Sequence, residues 1–168
     1  MPKEQASIFS IVGPSNLFSL LNSIPLYWES FRAVFKNRVG NPNTEEGRET
    51  LKAASPLFKV DSITKPLLIG QGVNDPKVKQ AESDQIVEAM NKKDIPVTYA
   101  LFPDEGHGFS QPENRLAFFS IAEIFLARCL GGKVEPIGND LAGSSIQVPA
   151  GAELINSLPE SLDNTLRV

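Results

Sequence analysis

Apolar positions along the chain fall into short unbroken runs and longer amphipathic stretches, and the two kinds alternate. Residues 6–12 form an apolar run closed by Gly13-Pro14-Ser15, a turn signal. The run lacks strict polar alternation, which predicts a strand covered on both faces. From residue 16 to 39 the spacing becomes helical. Leu17, Leu20, Leu21 and Ile24 recur on one face, Pro25 interrupts, and Tyr27, Trp28, Phe31 and Phe35 follow. This aromatic stripe reads first as ordinary core, with the roof of a substrate cleft as the alternative. Residues 41–44 make a turn that caps a short helix running to about Ala54, which Ser55-Pro56 ends because a residue before proline avoids the helical region.

Residues 66–70 read as a second buried strand, and 71–76 as a loop of turn formers. A helix follows over 80–93, with Ile86, Val87 and Met90 inward and Lys92 and Lys93 at its C-terminal end, where cations suit the dipole. Residues 96–102 form a third strand and 103–108 a loop. The clearest helix spans 112–130: Pro112 sits in its first turn, Gly131 lies past its end, and Phe118, Ile121, Ala122, Phe125 and Cys129 share one face. Strand and helix in alternation predict right-handed crossovers and an α/β fold, a mainly parallel sheet of about three strands with helices on both faces. Residues 133–168 are rich in Gly, Ser, Pro and Asn, and predict a partly irregular C-terminal extension to a unit of residues 1–132. A short strand near 146–148 and a frayed end after Pro159 are expected within it.

Length and composition narrow the function classes. With 168 residues and 41% hydrophobic content, the chain has material for one domain with a real core. Its formal charge of -4 comes from interspersed acids and bases, with no basic run to track phosphates, so nucleic acid is not expected as a partner. No stretch reaches the roughly 18 apolar residues of a membrane span, and the opening residues have no charged leader before a hydrophobic signal core. A membrane is therefore not an expected partner, and a cytoplasmic address is the expectation. The single cysteine, Cys129, forms no internal disulfide and suits a buried small hydrophobe. Nothing in the residue pattern calls for a metal or cofactor.

In open α/β sheets reactive groups collect in the loops beyond the carboxyl ends of the strands. Two such loops carry chemistry here. The second strand leads into Gly72-Val73-Asn74-Asp75, and the third into Asp104-Glu105-Gly106-His107-Gly108-Phe109, which holds the only histidine of the chain. An acid after a late strand, then a histidine before a long C-terminal helix, is the chain order of the last two members of an α/β-hydrolase triad. Gly106 and Gly108 leave room for the imidazole to swing out of a tight loop.

The segments SPLFKVDSITKPLLIGQGVNDPKV and PVTYALFPDEGHGFSQPENRLAFFSIAEIFLARCLGG resemble the end of the catalytic domain of the prolyl oligopeptidase family of serine peptidases, its acylaminoacyl and dipeptidyl peptidase-like members in particular. The likeness runs from about residue 6 to about residue 148. It implies the C-terminal half of an α/β-hydrolase fold, with Asp75 as triad acid, His107 as triad base, a β-propeller domain upstream in the full form, and a peptide as substrate. Many members carry arginine at the position of Lys77, where it holds substrate carbonyl groups. Lysine brings the charge without the planar fork.

The triad's third member does not appear. A nucleophile elbow needs G-x-S-x-G, because glycines fit the strained strand-to-helix turn that exposes the serine. Gly13-Pro14-Ser15-Asn16-Leu17 and Gly143-Ser144-Ser145-Ile146-Gln147 both lack the second glycine. The resemblance implies that the elbow lies just upstream of Met1, and the oxyanion-hole donors with it. A serine peptidase domain missing its N-terminal half is the first expectation, inactive alone and prone to self-association through an exposed sheet edge. A carboxylester hydrolase of the same fold and a non-catalytic α/β-hydrolase-like binding domain are the alternatives.

Overall fold

The computed structural model describes residues 8–165. Its sheet has four strands in the order β1 (Ile8–Ile11), β2 (Leu67–Gly72), β3 (Val97–Phe102) and β4 (Gln147–Ala150). The first three are parallel, in register Ile8 with Leu67 and Leu67 with Val97, while β4 runs antiparallel to β3. This is the mostly parallel α/β sheet that the alternation of runs and amphipathic stretches predicts. Residues 6 and 7 of the expected first strand lie outside the described residues. β1 stops at Ile11 because Val12 takes a positive φ of 48° before the Gly13-Pro14 turn.

Side chains alternate across the two faces of β2 and β3, and each face has its own helix. Ile69, Val97, Tyr99 and Leu101 pack against Ile86, Val87 and Met90 of α4 (Gln80–Asn91). Leu68, Ala100 and Phe102 pack against Phe118, Ile121, Ala122 and Phe125 of α5 (Pro112–Leu130). α5 has the predicted bounds: Pro112 occupies its first turn, and Gly131 ends it in the left-handed conformation at φ 74°. Cys129 is buried on the apolar face of α5.

Between β1 and β2 the chain forms α1 (Leu17–Asn22), a 3-10 segment (Leu26–Phe31), α2 (Arg32–Arg38), α3 (Glu45–Ala54) and a second 3-10 segment (Pro56–Ser62). Asn16 caps α1 and Thr44 caps α3 with side-chain acceptors. The aromatic stripe does not enter the core. Leu26, Tyr27 and Phe31 are exposed at 90%, 60% and 54%, and Trp28 stacks on Phe35 at the surface layer. The reading of the stripe as core is corrected: the apolar faces of β2 and β3 are already covered by α4, α5 and the C-terminal residues.

The C-terminal stretch is more ordered than its composition predicts. Residues 132–146 hold only turns, yet Ile137, Leu141, Ile146, Ile155 and Leu158 are buried in the same cluster as α5. The short strand expected near 146–148 is β4. Of the end expected to fray after Pro159, the part up to residue 165 forms α6 (Leu158–Thr165), anchored by the fully buried Leu158 and the partly buried Leu162, and residues 166–168 lie outside the described residues.

Candidate active site

β2 and β3 end at the same level, with Gly72 paired to Phe102, so the loops that leave them start side by side. The two backbones cross closely. A Cβ at position 72 would run into the carbonyl oxygens of Gly106 and Glu105, so only glycine admits this approach. The loops are then laced by backbone bonds: Val73 N–H donates to Phe102 O at 3.0 Å and Asn74 N–H to Glu105 O at 2.9 Å.

Asp75 emerges from the first loop almost wholly buried, 1% exposed. Its Oδ1 accepts the backbone amides of Lys77 at 2.7 Å and Val78 at 2.9 Å, an Asx turn that fixes the carboxylate plane. Its Oδ2 lies 2.8 Å from Nδ1 of His107. A carboxylate only accepts, so Nδ1 carries the proton of that bond and Nε2 is the ring nitrogen left for chemistry. The His107 side chain is 35% exposed, and its partner's is 0%. The sequence-derived acid and base are thus brought together.

Each loop has a buried brace that motif reading passed over. Behind Asp75, the fully buried Gln71 donates from Nε2 to Gly72 O at 2.9 Å and Val78 O at 3.1 Å, and accepts Ser83 Oγ at 2.9 Å. Behind His107, the carboxylate of Glu105 accepts Ser110 N at 2.8 Å, Ser110 Oγ at 2.9 Å, Gln111 N at 2.8 Å and Asn114 Nδ2 at 2.9 Å. The tip is a narrow turn in which Gly108, at φ 113°, donates to Gly106 O at 3.0 Å. Phe109 plugs the loop's base between Phe102 and Phe118, with ring centroids 4.4 Å and 5.1 Å away.

Electrostatics follow from these bonds. Burial pushes the Glu105 carboxyl up, but the Ser110 amide, the Asn114 carboxamide and the Gln111 amide outweigh it and hold the group below its ordinary value. Asp104 is also held low, first by the Ser145 hydroxyl, against a smaller opposing effect of burial, and further by Asn114 and Gln111.

Lys77 adjoins the acid through its backbone and reaches an aromatic ring with its side chain. Its backbone amide supports Asp75, and its Nζ lies 5.7 Å from the centroid of the Trp28 ring, a cation–π contact. The serines at the third position of the two incomplete elbow sequences are engaged elsewhere: Ser15 Oγ donates to Glu82 O at 2.5 Å, and Ser145 Oγ donates to Asp104 Oδ1. Among the described residues no group of three or more His, Cys, Asp or Glu side chains is placed to hold a metal ion. No helix among them is long and apolar enough to cross a membrane.

The sequence model of the prolyl oligopeptidase family matches residues 24–133, most of the chain and both loops. The chain belongs to the prolyl oligopeptidase family. It is 60% identical over 152 residues to dipeptidyl aminopeptidase BIII of Pseudoxanthomonas mexicana, an alignment covering 90% of this chain and 22% of that protein. It is 53% identical over 136 residues to dipeptidyl peptidase family member 6 of Caenorhabditis elegans, covering 80% of this chain and 18% of the relative. The chain therefore spans about a fifth of the length of these curated relatives. Among solved structures, a puromycin-hydrolyzing peptidase of Mycobacterium tuberculosis superposes with a TM-score of 0.66 at 26% identity, over 77% of this chain and 19% of the other. An acylaminoacyl peptidase from Pyrococcus horikoshii, at 20% identity and a TM-score of 0.62 over 77% of this chain and 21% of its own, shares the fold.

Proposed function

We propose that these residues supply the acid and the base of a serine peptidase whose nucleophile and oxyanion hole lie in a part of the protein outside the 168 residues. The observation that carries this reading is the 2.8 Å contact between Asp75 Oδ2 and His107 Nδ1 at the carboxyl ends of adjacent parallel strands. In the longer protein, His107 Nε2 takes the proton of the attacking serine as its Oγ bonds to the scissile carbonyl carbon. Asp75 keeps Nδ1–H in place and stabilises the imidazolium that forms. The imidazolium returns its proton to the leaving amine as the C–N bond breaks, giving an acyl-enzyme. Water then attacks the ester with His107 again as base, and the serine is released.

The relatives named as dipeptidyl peptidases support short peptides as the substrates, with cleavage near a free amino terminus. Lys77 is the candidate for contact with the peptide, provided that its ammonium leaves Trp28 when substrate binds. Two measurements test the proposal. The 168-residue chain by itself neither hydrolyses dipeptidyl anilides or nitrophenyl esters nor reacts with a fluorophosphonate probe, and labelling of any of its serines would refute the assignment. A longer protein that includes these residues and an upstream serine elbow turns over dipeptidyl anilides, and His107→Ala lowers kcat by on the order of 10³ or more. Efficient cleavage of esters alone would favour a carboxylester hydrolase instead.

A further inference from the structure

His107 sits on a tip whose flanks are held from a part of the chain beyond the family match at residue 133. Asn114, on the first turn of α5, is 1% exposed and uses both ends of its carboxamide. Its Nδ2 donates to Glu105 Oε1 at 2.9 Å and Asp104 Oδ1 at 3.0 Å, the two residues that lead into the tip. Its Oδ1 accepts Ser144 Oγ at 2.8 Å and Ser145 N at 3.0 Å, from the turn before β4. Ser145 Oγ closes the ring by donating to Asp104. The network therefore runs from the C-terminal stretch through one buried carboxamide to both acids that precede His107. Every polar atom of Asn114 is satisfied, the condition under which a buried polar group specifies a single geometry.

We propose that Asn114 and the Ser144–Ser145 turn are positioning residues for His107: they hold the tip against Asp75, so that the C-terminal stretch takes part in setting the base. The proposal rests on the reading of His107 as the base, and adds to it a device outside the two catalytic loops. Without Asn114, Asp104 and Glu105 lose a shared donor and face each other across an unfilled site. The tip then opens more often, and the Nδ1 proton loses its carboxylate each time.

His107 is the only histidine, so its ring nitrogens can be read in a ¹⁵N-labelled 168-residue chain without ambiguity. Long-range ¹H–¹⁵N spectra near neutral pH should show one tautomer with the proton on Nδ1. Asn114→Ala removes all four of these hydrogen bonds, two of them to the acids that lead into the tip, and should speed exchange of the Nδ1 proton about 5–30-fold and mix the tautomers. Ser144→Ala with Ser145→Ala, a milder change at half-buried positions, should do the same at roughly the lower end of that range. Val60→Ala, in the core cluster on the opposite face, serves as the stability control. If Val60→Ala, at a matched loss of melting temperature, speeds exchange as much as Asn114→Ala, the role is only structural and the proposal falls. Unchanged exchange and tautomer in both the Asn114 and serine variants would overturn it equally. Asp75→Asn is read separately: an unchanged Nδ1 proton in that variant would sink the acid–base pair itself, whatever the serines do.

Discussion

Glu105→Gln changes almost no volume and removes one charge from a carboxylate that is 1% exposed and accepts four hydrogen bonds, two at each oxygen. The glutamine oxygen can serve one pair of donors. Its amide group then faces the other pair: Ser110 N–H and Oγ–H, or Gln111 N–H and Asn114 Nδ2. A hydroxyl can rotate to accept, but a backbone amide cannot. At least one partly buried N–H is left without its acceptor, at about 1–2 kcal/mol, and the remaining bonds lose their charge assistance, so roughly 2–4 kcal/mol is expected in all. For a chain of this size that corresponds to a fall in Tm of roughly 5–15 °C near neutral pH. The pH dependence has a definite sign. Glu105 is held below its ordinary value of 4.5 in the fold, so its contribution is fully present above that pH and is lost as pH falls through the lower folded value. The gap in Tm between the parent and Glu105→Gln should therefore narrow below about pH 4.5. Calorimetric or circular-dichroism melts at pH 7, 5 and 3.5 measure it. A gap under about 2 °C at pH 7, or one that widens on acidification, would show that the carboxylate is not the brace described.

Two further outcomes follow from backbone placement. Gly72→Ala puts a methyl group into the carbonyls of Gly106 and Glu105, forcing the loops apart; the Nδ1 proton signal of His107 should be lost, and an unchanged signal would show that the loops yield without parting the pair. Among the described residues β1 pairs with β2 alone and leaves Phe9 45% exposed, so the chain is expected to associate with rising concentration, and Phe9→Lys should reduce this in size-exclusion chromatography with light scattering. A monodisperse monomer across micromolar concentrations would refute that expectation.

Much of the frame was legible because local rules and tertiary packing agree there. α5 carries its start signal, its stop signal and its apolar face in the sequence, and the structure keeps all of them. The acid and base loops were found from strand-end placement and chain order. The aromatic segment was misplaced because periodicity reports that a face is apolar without saying whether space remains to bury it. The C-terminal stretch was underestimated because its core contacts, Ile137, Leu141, Ile146, Ile155 and Leu158, are single apolar residues separated by turns, with no period to detect. Asn114 did leave a trace: it lies one turn before Phe118 on the buried face of α5, a polar residue in an apolar row. Gln71 leaves the same trace inside a buried strand. A polar side chain that interrupts a predicted core face is a signal for a loop brace, since burial without partners is costly.

The two braces differ in charge, and their positions explain why. Gln71 lies behind the acid loop, where the groups to be held are the carbonyls of Gly72 and Val78, so a donor is required. A carboxylate there could not donate to either carbonyl, and would add a second buried negative charge to the loop that carries Asp75. Glu105 lies behind the base loop, where the groups to be held are the amides of Ser110 and Gln111 at the entry to α5. An acceptor is required, and a negative charge at a helix N-terminus is favoured by the dipole. That charge would also suit an imidazole that becomes cationic in the mechanism proposed for His107, whereas a cation in the same place would oppose it. The chemistry expected at each loop tip thus agrees with the polarity of the side chain that holds its base.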